Sequence, residues 1–144
     1  MEGAAVNEAM ALGIRAGAAP RTLFEVISSS AGSSWMFQNR VPHILDGDDT
    51  PLSSVNIFVK DLGIVLDQAR GLTFPLPMAS TAHRLFLAAA AAAAGHGARD
   101  DAFVIRVWES AGGDRVAGGQ RRLNRGNRGM AGYIGVNSRE SCGR

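Results

Sequence analysis

Cysteine, lysine and long apolar runs are scarce or absent in this sequence, and each shortage excludes a class of protein. The 144 residues contain one cysteine, Cys142, so an internal disulfide framework and a cysteine-based metal site are excluded. No stretch approaches about 20 consecutive apolar residues, and no basic region followed by an apolar core opens the chain. The sequence therefore predicts neither a membrane span nor a secretory signal, and we expect an intracellular, cytoplasmic protein.

The motifs of several familiar sites are missing as well. His43, His83 and His96 lack zinc-ligand spacing, so we expect structural or exposed roles for them and no metal site. No glycine-rich turn stands between a predicted strand and a predicted helix, so these residues lack the dinucleotide-binding fingerprint of a Rossmann domain. The serines between residues 28 and 34 could hold a phosphate at a helix start, or could cap that helix.

Charge divides the chain into two regions. Residues 1–111 hold eight Lys/Arg and eleven Asp/Glu, a net charge of −3, whereas residues 112–144 hold seven Arg and two Asp/Glu, a net charge of +5. The second region also holds nine of the 18 glycines and few apolar residues, so we expect 112–144 to be a disordered Arg/Gly-rich tail. Such tails can bind RNA, but an uncommitted basic extension is the simpler interpretation, and a nucleic-acid partner is not predicted.

Apolar residues recur at helical spacing throughout residues 1–111, which predicts one all-helical domain without strands. The expected helices cover 2–15, a short segment from Pro20 that ends in the serines 28–30, and a segment capped by Ser33 or Ser34 and ended by residues 46–49. They continue with 54–70, a helix from the loop 74–77 through Ala94 that ends at residues 95–97, and a last helix from residues 100–101 to Ser110. We expect the third helix to bend at Pro42. The predicted apolar sides of the second, third and fourth helices include Val26, Trp35 and Val65.

The fourth predicted helix carries Lys60, which is the only lysine in the chain. Asn56, Lys60, Gly63 and Asp67 form a row beside the apolar stripe of this helix. A glycine within a helix costs about 0.5–1 kcal/mol unless another group must approach the backbone closely, so we expect this face to meet a ligand or another chain segment. A mobile ammonium beside the carboxylate of Asp61 is typical of groups that recruit phosphate.

Five short segments occur in a characteristic order. They are EAMALGIRAG at 8–17, VISSSAGSSWMF at 26–37, FVKDLG at 58–63, PLP at 75–77, and GHG at 95–97 followed by DD at 100–101. Together they resemble the C-terminal helical domain of the β-hydroxyacid dehydrogenases, a family that includes 3-hydroxyisobutyrate and L-threonate dehydrogenases. The resemblance covers about residues 2–110.

The resemblance implies a helical bundle like the 6-phosphogluconate dehydrogenase C-terminal domain, with NAD or NADP shared with a Rossmann domain that these residues do not include. That domain would be supplied in cis or in trans, the substrate would be a small hydroxyacid, and the protein would form a homo-oligomer. By resemblance, Lys60 reaches the cofactor, and Asp61 and Asn56 support the active site. Relatives usually carry an aromatic residue at the position of Ser53 and often an aspartate at that of Asn56.

The resemblance leaves enzymatic activity open. The general acid/base lysine of the family has no counterpart here, because the chain is expected to begin beyond it, so no catalytic residue is assigned and the isolated chain is expected to be inactive. The alternative is a non-catalytic helical oligomerisation module with a basic tail.

Overall fold

A computed structural model describes residues 1–48, 50–92, 95–112 and 116, and helices dominate them. The α-helices are α1 (Glu2–Arg15), α2 (Pro20–Ser28), α3 (Trp35–Asp46), α4 (Val55–Gly71), α5 (Pro77–Ala91) and α6 (Arg106–Gly112). Two short 3-10 helices, His96–Ala98 and Asp101–Ile105, lie between α5 and α6. Within these described ranges there is no strand, and Ser54 and Asp100 form an isolated antiparallel bridge. The all-helical prediction is confirmed for this part of the chain.

Local sequence signals fix both ends of α3 and the start of α4. Ser34 caps α3 by accepting a hydrogen bond from the Phe37 N–H at 3.0 Å, and Ser54 caps α4 in the same way. Gly47 ends α3 in the left-handed conformation with φ 68°, which costs glycine no steric strain. These helices were therefore predicted within a residue or two, and α3 continues through Pro42.

Two apolar clusters form the core. The first joins α1, α3 and the second 3-10 helix and contains Val6, Met10, Phe37, Val41, Ile44, Leu45, Ala102, Ile105 and Val116. The second joins α4 and α5 and contains Ala4, Val55, Leu62, Ala79, Ala82, Phe86, Ala89 and Val104. Small residues on α5 let it lie close to α4, and Phe58 stacks on Phe86 with ring centroids 4.9 Å apart.

Several details of the predicted helices are wrong. Val26, Trp35 and Val65 were assigned to apolar sides but are 60%, 68% and 45% exposed, because the core covers only part of the apolar residues of each helix. The fifth helix ends at Ala91 rather than Ala94. The predicted last helix is a 3-10 helix followed by α6, since tertiary packing overrides the helix preference of this segment.

Two further predictions, the absence of a membrane span and the disordered tail, can be compared with the structure only in part. No helix among them is both long enough and apolar enough to cross a membrane. The predicted disorder of the Arg/Gly-rich tail falls almost entirely outside the described residues. Of that region, Gly112 is the last residue of α6, and Val116 is buried in the first core cluster with its N–H donating to Glu109 Oε1 at 2.7 Å.

Candidate functional site

Lys60 lies on the second turn of α4 with its side chain in solvent. Its Nζ is 2.6 Å from Asp61 Oδ1, and the two side chains are 65% and 54% exposed. An exposed ion pair of this kind contributes about 0–1 kcal/mol to stability. The ammonium can therefore exchange this partner for an anionic ligand at little cost to the fold.

Apolar side chains flank Lys60 on the outer face of α4. Ile57 and Ile64 stand three residues before and four residues after it, so both adjoin it on the helix surface. They are 44% and 59% exposed. The surface formed by this ammonium and the two exposed isoleucines favours contact with another protein domain or chain, because such a contact removes apolar area from water.

Asn56 lies one turn before Lys60 and packs against Gly97. A Cβ built on Gly97 would lie 2.7 Å from both Cγ and Nδ2 of Asn56, which is closer than real Cβ contacts allow. In the described part of the chain the Asn56 amide has no hydrogen-bond partner, so its oxygen and nitrogen remain available to a ligand. Asn56 and Lys60 thus present an amide and an ammonium on one helix face.

A buried aspartate fixes the start of α4 beside the Gly97 segment. Asp100 is fully buried; its Oδ2 accepts a hydrogen bond from the Leu52 N–H at 2.8 Å, and its Oδ1 accepts one from the Ala102 N–H at 2.9 Å. The Val55 N–H donates to the Arg99 carbonyl at 3.1 Å. These bonds join the N-terminus of α4 to the chain segment that follows α5.

His83 of α5 contacts the helical turn that carries Lys60. Its Nε2 lies 3.1 Å from the carbonyl oxygen of Val59, and because a carbonyl only accepts, Nε2 must carry the hydrogen. A Cβ on Gly63 would lie 3.8 Å from the same nitrogen, which is an ordinary contact. The face at Gly63 therefore meets a neighbouring chain segment, α5, through His83, and the contact leaves ordinary room for a Cβ.

Replacing His83 with alanine should lower the free energy of unfolding by about 1 kcal/mol, the typical net contribution of one hydrogen bond. Urea unfolding of the two proteins measures this difference. Arg84→Ala is the matched control, because Arg84 is an exposed neighbour on α5. Equal unfolding midpoints for His83→Ala and the unaltered chain would show that the bond contributes nothing.

Most serines of the run at residues 28–34 have structural partners, whereas the buried hydroxyl of Ser28 has none among the described residues. Ser34 is the α3 cap, and the hydroxyls of Ser29 and Ser30 donate to main-chain carbonyls of α2, which favours the capping interpretation of the serine run. Among the residues that the structure describes, no three His, Cys, Asp or Glu side chains converge as metal ligands would.

The structure brings the predicted residues together and adds others. Lys60, Asp61 and Asn56 lie on the first two turns of α4 as the sequence spacing requires. Gly97 and His83 were not predicted as neighbours of this surface. Both contacts join residues far apart in sequence, and no local pattern indicates such pairs.

Comparison with known proteins identifies this group of residues as part of a recurring domain. Residues 1–108 match the family model described as NAD-binding of NADP-dependent 3-hydroxyisobutyrate dehydrogenase. The L-threonate dehydrogenase of Cupriavidus necator is 60% identical over 105 residues, which make up 73% of this chain and 35% of the relative. That of Escherichia coli strain K12 is 52% identical over 105 residues, with 73% and 34% covered.

A solved structure gives the same result. The crystal structure of a 3-hydroxyisobutyrate dehydrogenase from Salmonella typhimurium matches with a TM-score of 0.69 and 50% identity, covering 74% of this chain and 38% of that one. The chain thus spans about a third of the length of the curated relatives it matches.

Proposed function

Since the chain belongs to the NAD-binding family of 3-hydroxyisobutyrate dehydrogenases, we propose that it is the C-terminal helical part of an NAD(P)-dependent hydroxyacid oxidoreductase. Its substrate would be a small hydroxyacid of the L-threonate type, which is the activity named for the two curated relatives above. In this proposal residues 1–111 form a bundle like the 6-phosphogluconate dehydrogenase C-terminal domain, followed by the basic tail.

The observation that carries the proposal is the exposed ammonium of Lys60 one helical turn from the Asn56 amide, whose polar atoms make no hydrogen bond within the part of the chain that the structure describes. Lys60 would neutralise a phosphate or donate to a ribose hydroxyl of the cofactor, with Asp61 holding the ammonium and Asn56 supporting the same wall. These residues suit contact with one side of a dinucleotide. The exposed Ile57 and Ile64 suit contact with the Rossmann domain that would bind the rest of the dinucleotide. The bound cofactor supplies the hydride chemistry.

We expect the isolated chain to bind NADH weakly and to be inactive. One charge-assisted hydrogen bond contributes about 1.5–3 kcal/mol, which is less than the roughly 4 kcal/mol that corresponds to a dissociation constant of 1 mM. General acid/base catalysis also needs a tuned group at the substrate oxygen, and we assign none here. The rest of the enzyme, including a Rossmann domain in cis or in trans, would supply the remaining cofactor contacts and the acid/base group, and the complete enzyme would be a homo-oligomer.

A graft tests this proposal. The 105 matched residues of the Cupriavidus necator enzyme are replaced by the corresponding residues of this chain, and turnover of L-threonate is measured with NAD and with NADP. We expect the grafted enzyme to retain turnover within about tenfold of its parent, a tolerance of about 1.4 kcal/mol in the barrier, and the isolated chain to show none. A graft that folds with parental helicity and assembly yet turns over no L-threonate contradicts the proposal.

A further inference from the structure

The side chain of Asn56 lies against the backbone of Gly97. Gly97 is buried, whereas Asn56 is exposed on its outer side. The Asn56 amide lies so near that any side chain at position 97 would displace it, since Cγ and Nδ2 are both 2.7 Å from the position a Cβ would take. The amide is thus placed by contact and not by hydrogen bonding within the described residues.

The backbone under the amide is itself firmly held. The Ser54–Asp100 bridge and the Val55 N–H bond to the Arg99 carbonyl align the segment containing Gly97 with the first turn of α4. Asp100 anchors this segment from the core side through its two carboxylate bonds. The Asn56 side chain therefore rests on a fixed surface one helical turn from Lys60.

A side-chain amide that rests against a backbone surface, and has no hydrogen-bond partner among the described residues, is well suited to bind a ligand. It offers two N–H donors and a carbonyl acceptor, and a hydroxyl group can use both functions at once. Fixing the amide in advance lowers the conformational entropy that is lost on binding. Leaving it unpaired would bring no stability to the fold, since an exposed amide is satisfied by water.

We propose that Gly97 is a positioning residue that holds the Asn56 amide beside Lys60, where the amide binds a hydroxyl group of the bound nucleotide or of the hydroxyacid. This inference rests on the proposed function. Gly97 touches no ligand and acts through Asn56. The ribose and the hydroxyacid both carry hydroxyl groups, and the Michaelis constants for NAD and for L-threonate distinguish these two sources.

The test uses the grafted enzyme and three variants: Gly97→Ala, Asn56→Ala and the double variant. We expect both single variants to raise one of the two Michaelis constants about tenfold with kcat changed less than about twofold, the loss of one ground-state contact. The double variant should be no worse than either single one, because Gly97 acts only through Asn56. Gly71→Ala is the matched control, since a Cβ at Gly71 meets nothing within 4 Å.

The outcomes separate this inference from the proposed function. If Asn56→Ala leaves both Michaelis constants unchanged while Lys60→Met raises that for NAD, the inference is wrong and the proposed function stands. If Lys60→Met also has no effect, the proposed function fails. Because Asn56→Ala removes the crowded side chain and leaves the Gly97 backbone intact, it tests the amide even if Gly97→Ala does not fold. Additive single effects would show that Gly97 acts independently of Asn56, which overturns the positioning role.

Discussion

Replacing Arg40 with leucine should lower the free energy of unfolding by about 3–5 kcal/mol at neutral pH, the largest stability change that we expect from one substitution. Arg40 Nε lies 2.8 Å from Asp101 Oδ1, and the two side chains are only 9% and 2% exposed. The pair joins α3 to the second 3-10 helix. Removing one partner leaves a carboxylate buried without its counter-charge, and chemical denaturation measures the cost.

The cost of Arg40→Leu should fall as the pH falls. Burial raises the pKa of Asp101 above its ordinary value, the charge of Asp100 raises it further, and Arg40 opposes both. Without Arg40 the pKa of Asp101 rises more. A raised folded-state pKa stabilises the fold at low pH and ceases to do so as the pH rises through it. The difference in free energy of unfolding between Arg40→Leu and the unaltered chain should therefore narrow as the pH falls through the pKa of Asp101 in the variant, which is the higher of the two.

An exposed ion pair provides the control for this prediction. Arg21 and Asp46 are also 2.8 Å apart, but their side chains are 72% and 57% exposed. Arg21→Leu should cost less than about 1 kcal/mol because water screens the pair. Comparable losses for the two variants, or a loss for Arg40→Leu that does not depend on pH, would show that the Arg40–Asp101 pair is not the buried link described above.

Replacing Lys60 with methionine in the grafted enzyme should raise the dissociation constant of NADH about 10- to 150-fold. Methionine keeps much of the length of the side chain and removes its charge, so the change removes one charge-assisted hydrogen bond of about 1.5–3 kcal/mol. Titration of NADH fluorescence measures the affinity directly. The fold should be unaffected, because the Lys60–Asp61 pair is exposed.

Arg70→Met is the control for Lys60→Met. Arg70 is another exposed cation of α4, and it is paired with Asp67 at 2.7 Å. If the affinity for NADH depends only on the overall positive charge of the helix, both variants should weaken binding equally. Equal effects would remove the specific role of Lys60, whereas an effect confined to Lys60→Met supports it.

The helices could be predicted because their signals are local. The helical spacing of apolar residues and the caps Ser34, Ser54 and Gly47 each depend on a few neighbouring residues. The segment after α5 could not be predicted in the same way. Its alanines favour a continuous helix, but the chain turns so that Gly97 packs on Asn56 and Asp100 binds Leu52. Tertiary contacts decide that turn.

The candidate site divides in the same manner. Lys60, Asp61 and Asn56 share one helix, so their spacing alone places them on neighbouring positions. The Gly97 contact with Asn56 and the His83 bond to Val59 join separate elements, and a single sequence contains no record of such pairs. The sequence predicts the side chains that lie in a row along α4. The structure adds the Gly97 backbone, against which Asn56 packs.

The most direct test of the Lys60 surface is the rate at which an amine reagent modifies Lys60 in the grafted enzyme, with and without saturating NADH. Peptide mass spectrometry isolates this amine, because Lys60 is the only lysine that this chain contributes. With its side chain 65% exposed in the chain alone, it should react readily in the isolated chain. We predict that NADH strongly slows its modification in the grafted enzyme; an equal rate with and without NADH would contradict contact between Lys60 and the nucleotide.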